Sequence, residues 1–278
     1  MTDTAPQRFR APAALPVTFA RVLRSEWTKF RSLRSSAWSM AATVVLIVGI
    51  GSGLAGVAAT NASSMPLPVR AAFIHAKTGV SISIAGVYLA QLAIGVLGVL
   101  LFSGEYASGQ IRATFTAVPG RLAVLWAKAT TLAVLSFAVT AVSMVGAFAI
   151  AQGELSSSGL SVPISSPGVS RVRVGGALYV TLVGLLGIGL GALLRSSAGA
   201  IAVLFGVLLV VPIIANFLPS GWATTFREYL PSNAGTDVMN LGPMAPHQLS
   251  PWTGLGVFCA YAAVVLITAA AVLRERDA

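Results

Sequence analysis

SISIAGVYLAQLAIGVLGVLLFSGEYASGQIRATFTAVPGR, residues 81–121, is the stretch on which the fold turns. It begins with an unbroken apolar run, 81–102, and ends in almost the only polar interruption in the first half of the chain. About 20 apolar residues at a rise of about 1.5 Å each cross the roughly 30 Å hydrocarbon core of a bilayer. The run therefore reads as a membrane span. The composition extends that reading to the whole chain, with 56% hydrophobic residues, 9% charged residues and a mean hydropathy of +0.84. A soluble domain of similar length carries about 25% charged residues.

Six apolar runs are expected to span, at 38–59, 81–102, 129–151, 174–194, 199–218 and 253–273. The fold class is thus an all-α membrane protein, with a six-helix domain over 38–273. Residues 1–18 are rich in Pro and Ala and read as a disordered tail. Residues 274–278 form a short C-terminal tail. Between the first tail and the first span, FARVLRSEWTKFRSLRSS repeats Leu23, Trp27, Phe30 and Leu33 at helical spacing, with arginines largely off that face. This predicts an amphipathic helix over 19–37, lying in the headgroup layer.

The formal charge of +10 raises nucleic acid as a partner, but the charges flank apolar spans and no polar segment is long enough to form a basic domain. Nucleic-acid binding is not expected. Counting instead by side, one end receives Arg8, Arg10, Arg21, Arg24, Lys29, Arg31, Arg34, Arg112, Arg121, Lys128, Arg195, Arg274 and Arg276. The other receives Arg70, Lys77, Arg171, Arg173 and Arg227, so thirteen cations stand against five of the 18. Both termini are expected in the cytoplasm.

The expected spans contain no Asp, Glu, Lys, Arg or His, and paired interrupted helices are not evident in them. Intramembrane charge is what an ion-coupled carrier normally uses. His75 and His247 read as solvated loop residues, and the single cysteine, Cys259, supports neither a disulfide framework nor a metal cluster. No GxxxxGK[ST], GxSxG, HExxH or CxxC pattern is present. Energy for uphill movement would have to come from another chain. Gly49 and Gly53, like Gly187 and Gly191, are four apart and allow close helix approach.

The polar end of the opening stretch fits a piece through which such a partner could push. Ser108 is placed to cap a short helix, Ile111 and Phe115 form its apolar face, and Pro119 with Gly120 stops it. SEWTKFRSLRSSAW (25–38), GEYASGQIRATFTAVPGRLAVLWAK (104–128) and EYLPSNAG (228–235), in that order, resemble an ABC-2 type permease, the transmembrane subunit of a bacterial ABC exporter. The resemblance covers about 19–274. It implies two six-helix subunits, a homodimer or a pair with a related permease, docked on two separate ABC ATPase subunits. ATP and Mg²⁺ would belong to those ATPases, with no cofactor in this chain.

The resemblance further implies that about 20–36 is an interfacial connecting helix and about 108–117 a coupling helix on the ATPase. Glu105, Ser108, Ile111, Arg112 and Phe115 are then the docking residues. Residues 219–252 correspond to a partly re-entrant segment, whereas the Ser-rich stretch 152–174 departs from the pattern. The implied mechanism has ATP binding draw the coupling helices together and open a central path. Tyr88, Gln91 and Asn216 are candidate lining residues, with interhelical hydrogen bonding as the alternative role. An amphipathic or lipid-like cargo, such as a drug, antibiotic or peptide, crossing the cytoplasmic membrane of a bacterium is expected. A membrane scaffold or assembly factor shares the hydropathy and is the rival reading. A membrane enzyme lacks an acid, base or metal constellation.

Overall fold

The computed structural model describes residues 18–118, 120–218, 222–242 and 248–275. Among these there is no strand. The helices in chain order are α1 (Phe19–Ser32), α2 (Arg34–Asn61), α3 (Leu67–His75), α4 (Thr78–Ser83), α5 (Val87–Ala107), α6 (Gln110–Ala117) and α7 (Arg121–Ser156). They continue with α8 (Val169–Leu194), α9 (Ser197–Phe205), α10 (Val211–Ala215), α11 (Trp222–Glu228), α12 (Pro231–Thr236) and α13 (Pro251–Glu275). Six helical stretches are long and apolar enough to cross a membrane: Arg34–Ser64, Thr78–Ala107, Arg121–Ser156, Val169–Leu194, Ser197–Ala215 and Pro251–Glu275. The chain is a multi-pass membrane protein. The tail at 1–17, Pro119, His247 and residues 276–278 lie outside the described residues.

α8 is the axis of the bundle. Of its most apolar 18 residues 72% are buried, against 22% for the first span, and it packs on α5, α7, α9 and α13. Small residues make this possible. A Cβ at Gly98 would lie 2.2 Å from the Gly184 carbonyl oxygen, one at Gly187 2.4 Å from that of Gly95, and one at Gly191 2.6 Å from that of Val99. The α5 and α8 backbones touch, so the Gly187/Gly191 pair is used inside the chain. A Cβ at Gly49 or Gly53 would meet nothing within 4 Å, so that pair faces outward.

The helices differ from the sequence expectation in three ways. First, the amphipathic segment ends at Ser32 rather than 37, because Leu33 is extended (φ −80°, ψ 116°) and α2 begins at Arg34. Second, α7 runs 36 residues, about 54 Å of helix, and so projects beyond the apolar core at both ends. Third, two spans are interrupted. Span two breaks between α4 and α5, where Gly86 lies against α2 so closely that a Cβ would fall 2.1 Å from the Leu46 oxygen. Span five winds as a π turn over Gly206–Val210. The turn relieves Pro212, whose ring would clash with the carbonyl four residues back.

Both ends of the folded chain meet at one end of the bundle, where α1 packs on α7 and the Arg121 guanidinium donates to the Leu273 carbonyl at 3.4 Å. At the opposite end, α11 and α12 fold back so that Ala234 and Val238 are fully buried. There, four of the five cations that ran against the charge bias are spent on backbone carbonyls. Lys77 donates to Pro167 at 2.8 Å, Arg171 to Asn240 at 2.7 Å, and Arg227 to both Ala215 and Leu218 at 2.6 Å. Arg70 donates to Ser158. The fifth, Arg173, lies over the Phe148 ring at 5.2 Å.

Candidate functional site

α1 buries one stripe, Val22, Glu26 and Phe30. These residues are four apart and share a face, and Glu26 is the polar member of an otherwise apolar row. The expected stripe is rotated from it. Leu23 is half-buried, Trp27 and Leu33 are exposed, and Phe30 alone of the four reaches the core.

Glu26 meets Lys29 of its own helix and Lys128 of α7, and both lysines also reach Glu105 of α5. α7 enters the bundle two turns before its apolar run and carries Lys128 inward to 3% side-chain exposure. Lys128 Nζ donates to Glu26 Oε2 at 2.8 Å and to Glu105 Oε1 at 2.7 Å. Lys29 Nζ donates to Glu26 Oε1 at 3.0 Å and to Glu105 Oε1 at 3.1 Å. Two carboxylates and two ammoniums thus alternate in a closed ring joining α1, α5 and α7. Its formal charge is zero, which is what allows four ionised groups to share a poorly solvated place.

The members are unequally exposed. Glu26 and Lys128 are almost fully enclosed, while the Lys29 side chain is 43% exposed. Partial burial opposes the charge on Lys29, but Glu26 and then Glu105 outweigh it and hold the ammonium above its ordinary range. Glu105 Oε1 accepts from both lysines, yet Glu105 Oε2 is buried with no donor among the described residues. A cavity of about 670 Å³ opens beside the ring, lined also by Phe30, Leu33, Leu97, Leu100 and Leu101.

These positions correct the reading of the polar connection. Glu105 lies inside the ring and not on a free surface. Ser108 caps nothing ahead of it; its Oγ donates back to the Gly104 carbonyl at 2.8 Å and closes α5. The residue preceding α6 is Gly109, whose φ of +71° favours a residue without a Cβ. Ile111 is buried among Phe30, Leu97, Phe102 and Leu125. Phe115 packs against the cluster of Val22, Val124 and Ala127, with the Arg121 guanidinium 5.6 Å from its ring. The apolar face of α6 is turned onto its own bundle, and Gln110, Arg112, Ala113, Thr116 and Ala117 are left exposed.

Of the proposed path residues, Gln91 is buried, donating to the Tyr88 carbonyl at 2.9 Å and accepting from the Tyr179 hydroxyl of α8. It is an interhelical bridge. Tyr88 and Asn216 are exposed, Asn216 in the turn after α10. No cluster of three or more His, Cys, Asp or Glu able to hold a metal occurs among the described residues. No protein-family model matches the chain, and no curated protein matches it.

Glu26, Lys29 and Lys128 escaped the sequence reading as a set. One signal was available: Glu26 stands four residues from both Val22 and Phe30, so a carboxylate shares a face with two apolar residues. With only eight Asp and Glu in 278 residues, a carboxylate on an apolar face points to a buried partner.

Proposed function

We propose that this chain is the permease subunit of an ATP-driven exporter of the ABC-2 type. It would move an amphipathic or lipid-like cargo across the cytoplasmic membrane of a bacterium. Two copies, or one copy with a related permease, would sit on two ABC ATPase subunits that bring ATP and Mg²⁺. The observation that carries this reading is α6. It is a short helix clamped to the bundle end by Ile111 and Phe115, with a polar face bearing Arg112 left exposed. A load applied to that face reaches the spans through the side chains under it and through the ion-pair ring beside it.

Charge supports an orientation with this end in the cytoplasm. Arg24, Arg31, Arg34 and Arg112 are exposed here, whereas the cations of the opposite end bind carbonyls or a ring. The excess of exposed basic charge therefore stands on one side.

Docking at α6 is tested by co-expressing the chain with its candidate ATPase and measuring co-purification. Ile111 is unsuitable for substitution because it is a core residue. Arg112→Glu is expected to reduce ATPase recovery by about tenfold, the effect of a lost and reversed charge contact of about 1.4 kcal/mol, while leaving the melting temperature of the bundle unchanged. Undiminished recovery would remove α6 as the docking element. Solute accumulation by the purified chain alone, driven by an ion gradient in liposomes, would overturn the ATPase-powered reading altogether.

A further inference from the structure

At the end of the bundle away from α1, four cations donate to backbone carbonyls and the fifth, Arg173, does not. Its guanidinium carbon stands 5.2 Å from the centre of the Phe148 ring. That contact draws on the charge and not on the N–H groups, of which an arginine has five. Nε is enclosed without an acceptor, whereas the side chain as a whole is only half-buried. The terminal nitrogens are therefore the donors that a group outside the chain can meet. No carboxylate among the described residues pairs with Arg173. A charge left without a counter-ion beside hydrocarbon is costly.

Two helices fix the level at which this charge lies. On α8, Arg173 immediately precedes the apolar run 174–194. On α7, Phe148 stands three residues, about 4.5 Å of helix, before the end of the run 129–151. Both place the guanidinium at the border between headgroups and hydrocarbon. A cleft of about 220 Å³ opens there between α7 and α8, lined by Ala141, Val145, Ser170, Arg173 and Val174. Its lining is graded. Ser170 shares a face with Arg173 and lies one turn nearer the aqueous side. Ala141 and Val145 lie deeper than Phe148 on α7, and Val145 and Val174 are exposed on the outside of the bundle. From water inward the cleft thus offers a hydroxyl, a cation and then hydrocarbon, and none of its described lining residues is acidic.

We propose that this cleft holds one anionic phospholipid, of the phosphatidylglycerol type. The phosphate accepts from the terminal nitrogens of Arg173, the headgroup hydroxyls face Ser170, and the start of an acyl chain lies along Val145, Ala141 and Val174. The planar fork of a guanidinium matches two phosphate oxygens. Charge selects the class of lipid. The cleft carries a single positive charge, which a lipid of net charge −1 neutralises, whereas the ammonium of a zwitterionic lipid finds no carboxylate there. The assignment does not depend on ATPase docking. It requires only that the bundle is in a membrane, so its failure and that of the exporter reading are separable.

Phosphatidylethanolamine carries the same phosphate but no net charge, which makes it the decisive comparison. The full chain is to be equilibrated in mixed micelles holding equal amounts of phosphatidylglycerol and phosphatidylethanolamine, and the lipid retained read by native mass spectrometry. The wild-type chain is expected to favour phosphatidylglycerol by about tenfold, the factor one charge-assisted hydrogen bond supplies. Arg173→Gln is expected to abolish that preference. Arg34→Gln removes an exposed cation at the opposite end of the bundle and is expected to leave it unchanged. Should Arg173→Gln not fold, Val145→Trp fills the apolar part of the cleft from its exposed side and is expected to lower retention of phosphatidylglycerol. Inorganic phosphate is expected not to displace the lipid. Equal retention of the two lipids by the wild-type chain overturns the proposal, as does equal loss in Arg173→Gln and Arg34→Gln, which would mark diffuse attraction to a basic protein. So does a preference untouched by whichever cleft variant folds, or displacement by inorganic phosphate at matching concentration.

Discussion

The two ends of the bundle are tied by different chemistry. At the end carrying α1, side-chain charges meet side-chain charges: Glu26, Lys29, Glu105 and Lys128 join three helices through four ion pairs. At the opposite end, side chains meet backbone. Lys77, Arg171 and Arg227 donate to carbonyls, and Gln152 bridges three positions. Its amide donates to the Gly79 carbonyl and Ser83 Oγ at 3.2 Å each, and its oxygen accepts from the Val162 amide at 2.6 Å. A carbonyl cannot be titrated or exchanged for another charge, so the opposite end is a fixed cap. Ion pairs respond to pH and to salt, so the α1 end is the one whose strength ionic conditions alter.

The comparison breaks most severely at Lys128. Lys128→Ala leaves two enclosed carboxylates with the half-exposed Lys29 as their one shared cation and is expected to lower stability by about 3–5 kcal/mol, the scale for removing one partner of a buried pair. Unfolding of the purified chain in detergent measures it. Replacing both members in Glu26→Leu with Lys128→Met is expected to be milder than Lys128→Met alone, and equal loss in the two would show that the ring is not a coupled unit.

A smaller loss is expected at the cap. Arg227→Ala strips donors from the Ala215 and Leu218 carbonyls, at a scale of about 1–3 kcal/mol for a group left unsatisfied. That loss should be insensitive to salt, since the acceptors are uncharged. Salt dependence equal to that of the ring variants would erase the distinction between the two ends.

The smallest effect belongs to Lys29. Its side chain is nearly half exposed, so Lys29→Ala is expected to change stability by no more than about 1 kcal/mol. The sign with pH follows from its raised pKa. The contribution is fully present below the ordinary lysine value and is lost as pH rises through the higher folded value. Stability difference curves for wild type and Lys29→Ala should therefore converge only in strongly alkaline solution. Convergence at neutral pH would mean that Lys29 is not held by the carboxylates.

Much of the fold was legible because it rests on local properties. Four of the six apolar runs lie wholly within the helices observed, 81–102 crosses the break between α4 and α5, and 199–218 overshoots α10 by three residues. The amphipathic helix before span one was also readable from its period. Its rotation was not. Leu23 and Trp27 stand one residue from Val22 and Glu26, and both rows fall within a broad arc that hydropathy scores alike. The turn of Ile111 onto its own bundle was equally hidden, because an apolar residue on a short helix has the same pattern whether it meets the chain's own core or a partner.

The sequence by itself determined that this protein is a bundle of six long apolar helices with basic flanks, since length, hydropathy and periodicity act within one segment at a time. Only the tertiary structure decided that Lys128, 102 residues from Glu26 in sequence, lies 2.8 Å from it in space. The physical reason is the small-residue contact of α5 with α8 and the long reach of α7. Together these bring three helix ends close enough that a lone charge on any one of them would be untenable, and each is made stable by the charges of the other two.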